Sequence, residues 1–403
     1  MEISNKFKKT ALRTAFSYLE RDPEENLPKL MAWVDRFAGT GPDSFEPQRD
    51  VVRAIVNDPT NNMYKLIMRI MKETDPAVLK VLFENFFLNA NIIGWPKQEE
   101  YRKKYGCNIP WAILLDPTSA CNLHCTGCWA AEYGNRLNLS FDEIDSIITQ
   151  GKELGVYLYI YTGGEPLVRK KDLIALCEKH SDCEFLSFTN ATLIDEDFAN
   201  EMLRVGNFIP AISIEGFEEA TDGRRGSGTY QHVVRAMQLL KEKHLPFGLS
   251  CCYTSQNLDS ISDDKFIDQM IEWAPISSGT STTCRSATTP YPHCCRTPSN
   301  AAKCMTAYAQ FAAKRRSSPW ISRTTASLSA AVSPAADATC TSTQTATPTR
   351  AYSSTIPIPT FAKKHCSKSC SRRSSWRTTM ASRSTRTTCA RAPCWKTRSS
   401  YAR

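Results

Sequence analysis

The chain has 403 residues, enough for one large α/β domain with additional segments. Its formal net charge of +9 would indicate a nucleic-acid or membrane-surface partner if the charge were evenly spread. The whole chain has 50 basic and 41 acidic residues. Residues 275–403, however, contain 20 of the basic residues and only one acidic residue, a net charge of +19. The rest therefore carries 30 basic and 40 acidic residues, a net of −10, and no specific nucleic-acid partner is expected.

The N-terminal residues and the apolar segments also exclude some classes of protein. Residues 1–6 lack the apolar core of a secretory leader, so we expect a cytoplasmic protein with reduced cysteines and no disulfides. The most apolar window, residues 78–95, is interrupted by Lys80, Glu84 and Asn85. A membrane span is therefore not expected.

Three regions follow one another along the chain. Residues 1–105 show apolar and aromatic residues at helical spacing and are interpreted as an N-terminal helical region that packs on the rest. Residues 106–274 alternate apolar strands with amphipathic helices, which indicates a parallel sheet with right-handed crossovers in five βα units. The predicted strands are 112–116, 156–161, 184–189, 209–214 and 247–252, and the predicted helices are 140–154, 171–180, 195–204, 228–243 and 263–273. Residues 275–403 form a basic tail of low complexity.

The first motif is a loop with three thiols at C-x3-C-x2-C spacing, Cys121, Cys125 and Cys128. It follows the first predicted strand, at the end where α/β folds place their chemistry. A fully protein-ligated 4Fe-4S cluster needs four cysteines, so three would leave one iron open. The alternatives are a zinc site completed by Cys107 or His124, or unrelated buried thiols.

The second motif is Gly163-Gly164-Glu165-Pro166 at the end of the second predicted strand. Paired glycines allow the backbone to approach a ligand where a Cβ would collide, and the proline fixes the exit of the turn. The motif lies on the same face of the predicted sheet as the thiol loop. An ordinary strand-to-helix turn is the alternative.

The two motifs together resemble the radical S-adenosylmethionine (radical SAM) enzymes. The resemblance implies a partial (β/α)6 TIM-like barrel in which the three cysteines ligate a 4Fe-4S cluster and S-adenosylmethionine chelates its open iron. One electron, from a donor such as flavodoxin or ferredoxin, would cleave S-adenosylmethionine to a 5′-deoxyadenosyl radical that abstracts hydrogen from a small-molecule or peptide substrate. The cofactor supplies this chemistry and the protein orients it.

The resemblance also assigns residues to the cofactor. Gly163, Gly164, Glu165 and Pro166 would hold its methionine moiety, with Glu165 as the polar contact. The remaining contacts, mainly those to the ribose and the carboxylate of the cofactor, are expected from residues at later strand ends. These candidates are Asn190, Ser213, Glu215 and Arg225, with Arg224 as an alternative to Arg225. Cys251 and Cys252 are interpreted as core residues.

The sequence changes character abruptly after Ala274. Residues 275–403 contain a single leucine, Leu328, and a single valine, Val332, which is too little apolar bulk to offset the entropy of ordering the chain. We therefore expect a disordered tail without a packed domain or a second cluster. The sixth barrel strand should also be missing, which would leave the fifth strand as an exposed edge.

A shifted reading frame is a sharper interpretation of this region. If a base was gained or lost near Pro275, residues 276–288 can spell N-F-I-W-Y-F-H-Y-M-P-V-G-N, and three later segments also become strand-like or turn-like. Cysteines would then fall at Val332, Ala351 and Ala392. The strings resemble radical SAM proteins with a SPASM or twitch-type auxiliary cluster region. A non-catalytic thiol protein and an inactive frameshifted product remain the alternatives.

Overall fold

The computed structural model describes residues 2–37, 46–252, 254, 256–273 and 277–281. Helices occupy most of the first 105 residues, as the apolar spacing predicts. The last of them, from Pro76 to Tyr105, is a continuous helix whose middle part is π-helical. The elements are α1 (Glu2–Arg21), α2 (Pro23–Phe37), α3 (Glu46–Val56), α4 (Asn62–Glu73), α5 (Pro76–Leu82), the π-helix (Phe83–Gly94) and α6 (Trp95–Tyr105).

A six-stranded sheet follows, with its strands in sequential order and every neighbouring pair parallel. Right-handed crossovers in this order place all connecting helices on one face, as in a barrel. The strands are β1 (Ala112–Thr118), β2 (Leu158–Gly163), β3 (Glu184–Thr189), β4 (Phe208–Ser213), β5 (Gly248–Cys252) and β6 (Ser277–Ser281). The helices are α7 (Phe141–Glu153), α8 (Lys170–Lys179), α9 (Glu196–Val205), α10 (Glu218–Arg225), α11 (Thr229–Glu242), α12 (Leu258–Ser262) and α13 (Asp264–Trp273).

Local signals fix the ends of these helices. A capping box opens α7, where the Ser140 hydroxyl accepts the Glu143 N–H and the Glu143 carboxylate accepts the Ser140 N–H. The Asp195 side chain accepts the Phe198 N–H at the start of α9, and Gly206 ends that helix in the left-handed conformation. The sequence therefore sets where each crossover leaves and rejoins the sheet.

The two faces of the sheet differ in exposure. Leu115, Tyr161 and Phe185 are buried in the core beneath the helices, and the rings of Tyr161 and Phe185 stack at 5.6 Å. Successive side chains of a strand point to opposite faces of the sheet. The residues next to these buried ones in each strand therefore belong to the opposite, interior face. On that face Leu114 is 43% exposed and Phe188 36% exposed. Apolar side chains of the interior face are thus open to a ligand.

The N-terminal region docks on the barrel through buried amides. Asn85 in the π-helix donates from Nδ2 to the carbonyl oxygens of Ser181, at 3.1 Å, and of Cys183, at 2.9 Å. Asn89 donates to the Asp182 carbonyl at 3.0 Å, and Gln98 to the Gly155 carbonyl at 2.7 Å. These contacts hold the long helix against the turns that precede β2 and β3.

By length and composition, the helix from Pro76 to Tyr105 could cross a membrane; within the part of the chain that the structure describes, it is the single such helix. Residues 78–95, where no membrane span is expected, lie within it. Asn85 and Asn89, both buried, bind the barrel from this helix, as described above. The structure therefore gives the helix a packing role against the protein.

The structure departs from the sequence analysis at the sixth strand. The expectation that this strand is missing and that β5 is an edge is wrong for residues 277–281, because β6 pairs with β5 from Gly248↔Ser277 to Cys252↔Ser281. A parallel ladder uses backbone N–H and C=O groups, so a Ser-Gly-Thr segment can form it without apolar bulk. The predictions for residues 282–403 lie outside the described residues.

Candidate functional site

The three thiols lie on the loop that leaves β1, and all three are partly buried. Within the loop, the Cys128 N–H donates to the Cys125 carbonyl at 3.2 Å, and the Leu123 N–H points at the Cys121 sulfur at 3.4 Å. Burial raises the pKa of the Cys121 and Cys125 thiols, and for Cys125 the positive charge of Arg225 partly opposes this. Among the described residues, no three His, Cys, Asp or Glu side chains gather as ligands of a single metal ion.

The glycine pair at the end of β2 packs directly against this loop. The Gly164 N–H donates to the Thr118 carbonyl at 2.9 Å, and the Glu165 N–H donates to the Ala120 carbonyl at 2.8 Å. A Cβ on Gly164 would lie 2.2 Å from the Ala120 oxygen, and Gly163 has a φ of +103°. The close backbone approach predicted at this turn is present. The predicted partner was a ligand, and in the structure the glycines pack against the thiol loop of the chain itself.

Glu165 is buried beneath the turn, with 1% of its surface exposed. Its carboxylate accepts three hydrogen bonds: from the Leu167 N–H at 3.0 Å, the Thr189 hydroxyl at 2.7 Å and the Asn190 N–H at 2.7 Å. Burial raises the pKa of Glu165, and these hydrogen bonds partly counter the shift. Glu165 therefore joins the end of β2 to the end of β3.

Asn190 continues this connection to the thiol loop. Its Nδ2 donates to Asn122 Oδ1 at 2.9 Å, and Asn122 Nδ2 donates to the Thr192 hydroxyl at 2.8 Å. Asn122 is the residue after Cys121, so one side of the loop is tied to the end of β3. Sequence reasoning missed Asn122 and Thr192, although Asn122 stands inside the motif itself.

A second buried glutamate holds the other side of the loop. Glu215, with no exposed surface, accepts on Oε1 from Arg224 Nη1 at 2.5 Å, and from Arg225 Nε at 2.9 Å and Nη2 at 2.5 Å. Its Oε2 accepts the Cys252 N–H at 2.8 Å. Two guanidinium groups therefore share one carboxylate, and the group carries one excess positive charge.

These arginines reach the thiol loop at the C-terminal end of α10. The Thr126 N–H donates to the Arg224 carbonyl at 2.8 Å, and Arg225 Nη1 lies 4.0 Å from the Cys125 sulfur. The loop is thus clamped from two directions, through Asn190 and through α10. Sequence reasoning singled out Glu215, Arg224 and Arg225 but did not predict α10, because its polar sequence gives no apolar stripe.

Ser213 ends β4 on the interior face, in register with Ser250 of β5. Within the described part of the chain the Ser213 hydroxyl makes no hydrogen bond, so none joins it to the other candidate residues. Asp116, which no motif identifies, lies near the end of β1 beside Gly163. Its buried Oδ1 has no hydrogen-bond partner, and burial raises its pKa to about 6. The sequence feature that could have identified Asp116 is its position as a charged residue at the end of an apolar strand.

The residues present suit an iron–sulfur cluster with an adjacent small-molecule ligand. Three thiols stand on one loop, and thiolates are the usual protein ligands of such clusters. The positive charge next to Cys125 favours the deprotonated sulfur that metal binding requires. The glycine turn presents backbone atoms beside the loop, and the orphaned Asp116 oxygen lies next to that turn. Together these features form one site at the C-terminal end of the barrel.

The fold and the site define a partial (β/α)6 domain of the type that carries a three-thiol cluster loop. Comparison with known families agrees, because residues 115–267 match the family described as the Radical SAM superfamily. Residues 115–267 are therefore similar to that superfamily. The match covers the sheet from the second half of β1 to β5, both motifs, and Glu215 with its two arginines.

Curated relatives match over the same part of the chain. The Fe-coproporphyrin III synthase of Methanosarcina barkeri is 30% identical over 156 residues, which are 37% of this chain and 38% of that protein. The PqqA peptide cyclase of Bradyrhizobium diazoefficiens is 28% identical over 173 residues, 41% of this chain and 45% of that protein. The chain thus spans less than half the length of either relative.

Among solved structures, Streptococcus suis SuiB bound to its precursor peptide SuiA matches with 19% sequence identity and a TM-score of 0.44. The match covers 55% of this chain and 50% of SuiB.

Proposed function

We propose that this chain is a radical SAM enzyme that binds a 4Fe-4S cluster through Cys121, Cys125 and Cys128. The observation that carries the proposal is the double clamp on the thiol loop, by Glu165 with Asn190 and by Glu215 with the arginines of α10. Such a loop holds the three thiols in place before metal binds. The bound cluster and S-adenosylmethionine would supply a 5′-deoxyadenosyl radical for hydrogen abstraction.

The chain's own residues would position S-adenosylmethionine beside the open iron. The turn at Gly163 and Gly164, which packs against the thiol loop, would present its backbone to the methionine moiety, and Pro166 fixes the turn that follows. Ser213 offers an uncommitted hydroxyl on the interior face. Glu165, Asn190, Glu215 and Arg225 have protein partners, so we assign them the task of holding the turn and the loop in place.

The substrate would enter at the same end of the barrel, over the apolar interior face. Relatives named as a peptide cyclase and a porphyrin synthase support a peptide or a cofactor precursor as substrate. We further propose a low-potential electron donor of the flavodoxin or ferredoxin type and a cytoplasmic location. The SPASM-like or twitch-like subclass is proposed from the shifted reading frame of residues 275–403.

The experiment that tests the proposal is anaerobic reconstitution of the full chain with iron and sulfide. We expect a brown protein with about four iron and four sulfide per chain. The triple variant Cys121→Ala, Cys125→Ala, Cys128→Ala should lose the iron and its visible absorbance. The matched control Cys107→Ala changes a thiol outside the loop and should keep the wild-type iron content.

Two outcomes would reject the proposal. Zinc without sulfide in the purified chain would identify the non-catalytic alternative, and equal iron in the triple variant would show that the loop does not bind it. If the cluster forms normally but S-adenosylmethionine is not cleaved after reduction, the chain is an inactive product of a radical SAM gene.

A further inference from the structure

Arg225 is placed to act on the cluster through one of its ligands. Its side chain is 10% exposed, and its Nη1 lies 4.0 Å from the Cys125 sulfur. The remaining donors, Nε and Nη2, both bind Glu215 Oε1. The guanidinium therefore faces the thiol loop with one edge and the buried carboxylate with the other.

The buried network fixes the guanidinium in this position. Glu215 is fully buried and is itself tied to β5, because its Oε2 accepts the Cys252 N–H and its carbonyl accepts from Asn257 Nδ2 at 3.1 Å. A long side chain normally loses much conformational freedom when it is held in one place. Here two hydrogen bonds to a rigid anchor hold Arg225.

The charge of this group is not balanced. Arg224 and Arg225 share the single carboxylate of Glu215, which leaves one positive charge beside the thiol loop. The three side chains are between 0% and 14% exposed, so solvent screens that charge poorly. An arginine is chosen for such a position because its charge persists at any physiological pH.

We propose that Arg225 is a positioning residue that raises the reduction potential of the cluster through its charge and its contact with Cys125. The proposal rests on the proposed function, because it requires the three thiols to ligate the cluster. Reduction adds one negative charge to the cluster, and a nearby buried cation stabilises the reduced form more than the oxidised form. Net charge, hydrogen bonds to sulfur and solvent exposure are the features by which proteins set these potentials.

The test is a redox titration of the reconstituted full chain without S-adenosylmethionine, with the reduced cluster followed by electron paramagnetic resonance. Arg225→Met should shift the midpoint to a more negative potential. We expect a change of tenfold or more in the equilibrium constant for reduction, which is about 59 mV for a one-electron couple. Arg225→Lys keeps the charge and should recover most of the shift.

Arg224→Met is the matched control. It removes the same charge from the same carboxylate but not the contact with Cys125, so its shift should be smaller than that of Arg225→Met. Arg204→Met, on the exposed surface, should leave the potential unchanged. Arg225→Gln provides a second neutral variant if Arg225→Met retains less iron.

The outcomes separate the two proposals. A cluster with the wild-type potential in both neutral Arg225 variants, or an equal shift in Arg224→Met, would overturn the role of Arg225 and leave the proposed function standing. If both neutral variants fail to hold iron, Arg225 serves only to hold the loop in place, and the proposed effect on the potential is wrong. Absence of a cluster in the wild-type chain would overturn both.

Discussion

Asp116 shows how one buried side chain can work against folding. Its Oδ1 has no hydrogen-bond partner, and desolvation raises its pKa to about 6, against an ordinary value near 4. The folded state therefore holds this proton up to a higher pH than the unfolded state does. The free energy of unfolding should fall as pH rises from about 4 to about 6, and the penalty, at most about 3 kcal/mol, is fully present above that range.

We accordingly expect Asp116→Asn to stabilise the cluster-free protein at pH 8 by up to about 3 kcal/mol and to have little effect at pH 4. Urea denaturation at both pH values measures this difference. Glu153→Gln, which alters an exposed carboxylate, should show no comparable gain at pH 8. A gain of equal size at both pH values would mean that the Asp116 carboxylate is not the cause.

Gly164 is a position where one added carbon should disconnect the two motifs. A Cβ there would lie 2.2 Å from the Ala120 oxygen and 2.6 Å from the Ser119 carbonyl carbon and oxygen. Since all of these are backbone atoms, rotation of a side chain cannot relieve the clash. We expect Gly164→Ala to break the hydrogen bond from Glu165 to Ala120 and to lower the iron content of the reconstituted protein severalfold.

Gly223→Ala is the control for that substitution. Gly223 lies within α10, and a Cβ added there meets nothing within 4 Å. Alanine is favoured over glycine inside a helix by about 0.5–1 kcal/mol, so this variant should keep its iron and gain slightly in stability. Full iron content in Gly164→Ala would show that the turn and the loop separate without consequence.

At the scale of elements, the sequence predicted the five central strands and their crossover helices to within about two residues at each end. Apolar periodicity and local caps determine those elements, as at Ser140 and Asp195, so no long-range information was needed. Helix α10 was missed because its polar sequence gives no apolar stripe and because the thiol loop that it contacts is distant in sequence. The same holds for Asn122, whose partners follow β3.

The long helix from Pro76 to Tyr105 should owe much of its docking to Asn85. The amide donates two hydrogen bonds to carbonyl oxygens of the barrel, and it is 2% exposed. Asn85→Leu would leave those carbonyls without that donor, at a cost of about 1–3 kcal/mol in the free energy of unfolding. Denaturant titration measures the loss. Ile92→Ala, at a 43% exposed position of the same helix, should cost much less.

At the scale of the whole molecule, the composition of the chain changes just before β6. The strand consists of Ser-Ser-Gly-Thr-Ser and pairs with β5 through its backbone over five residue pairs. Over these same five positions, the shifted reading frame can spell F-I-W-Y-F, a sequence with strong strand propensity. The string comes from reverse translation with a free choice of wobble base, and its position coincides with that of the strand in the fold.

We therefore expect that restoring the shifted frame after Pro275 will strengthen the sixth strand and stabilise the whole barrel. Burying a large apolar side chain contributes about 1.5–3 kcal/mol, so even two such residues on the core face would raise the free energy of unfolding measurably. The comparison is thermal denaturation and limited proteolysis of the chain as written, the frame-restored chain and a chain ending at Trp273. The restored chain should resist protease over its full length, and the chain as written should be trimmed towards its radical SAM domain. Equal protease resistance and equal melting temperature of the first two chains would contradict the shifted frame, because a serine-rich strand would then serve the barrel as well as an apolar one.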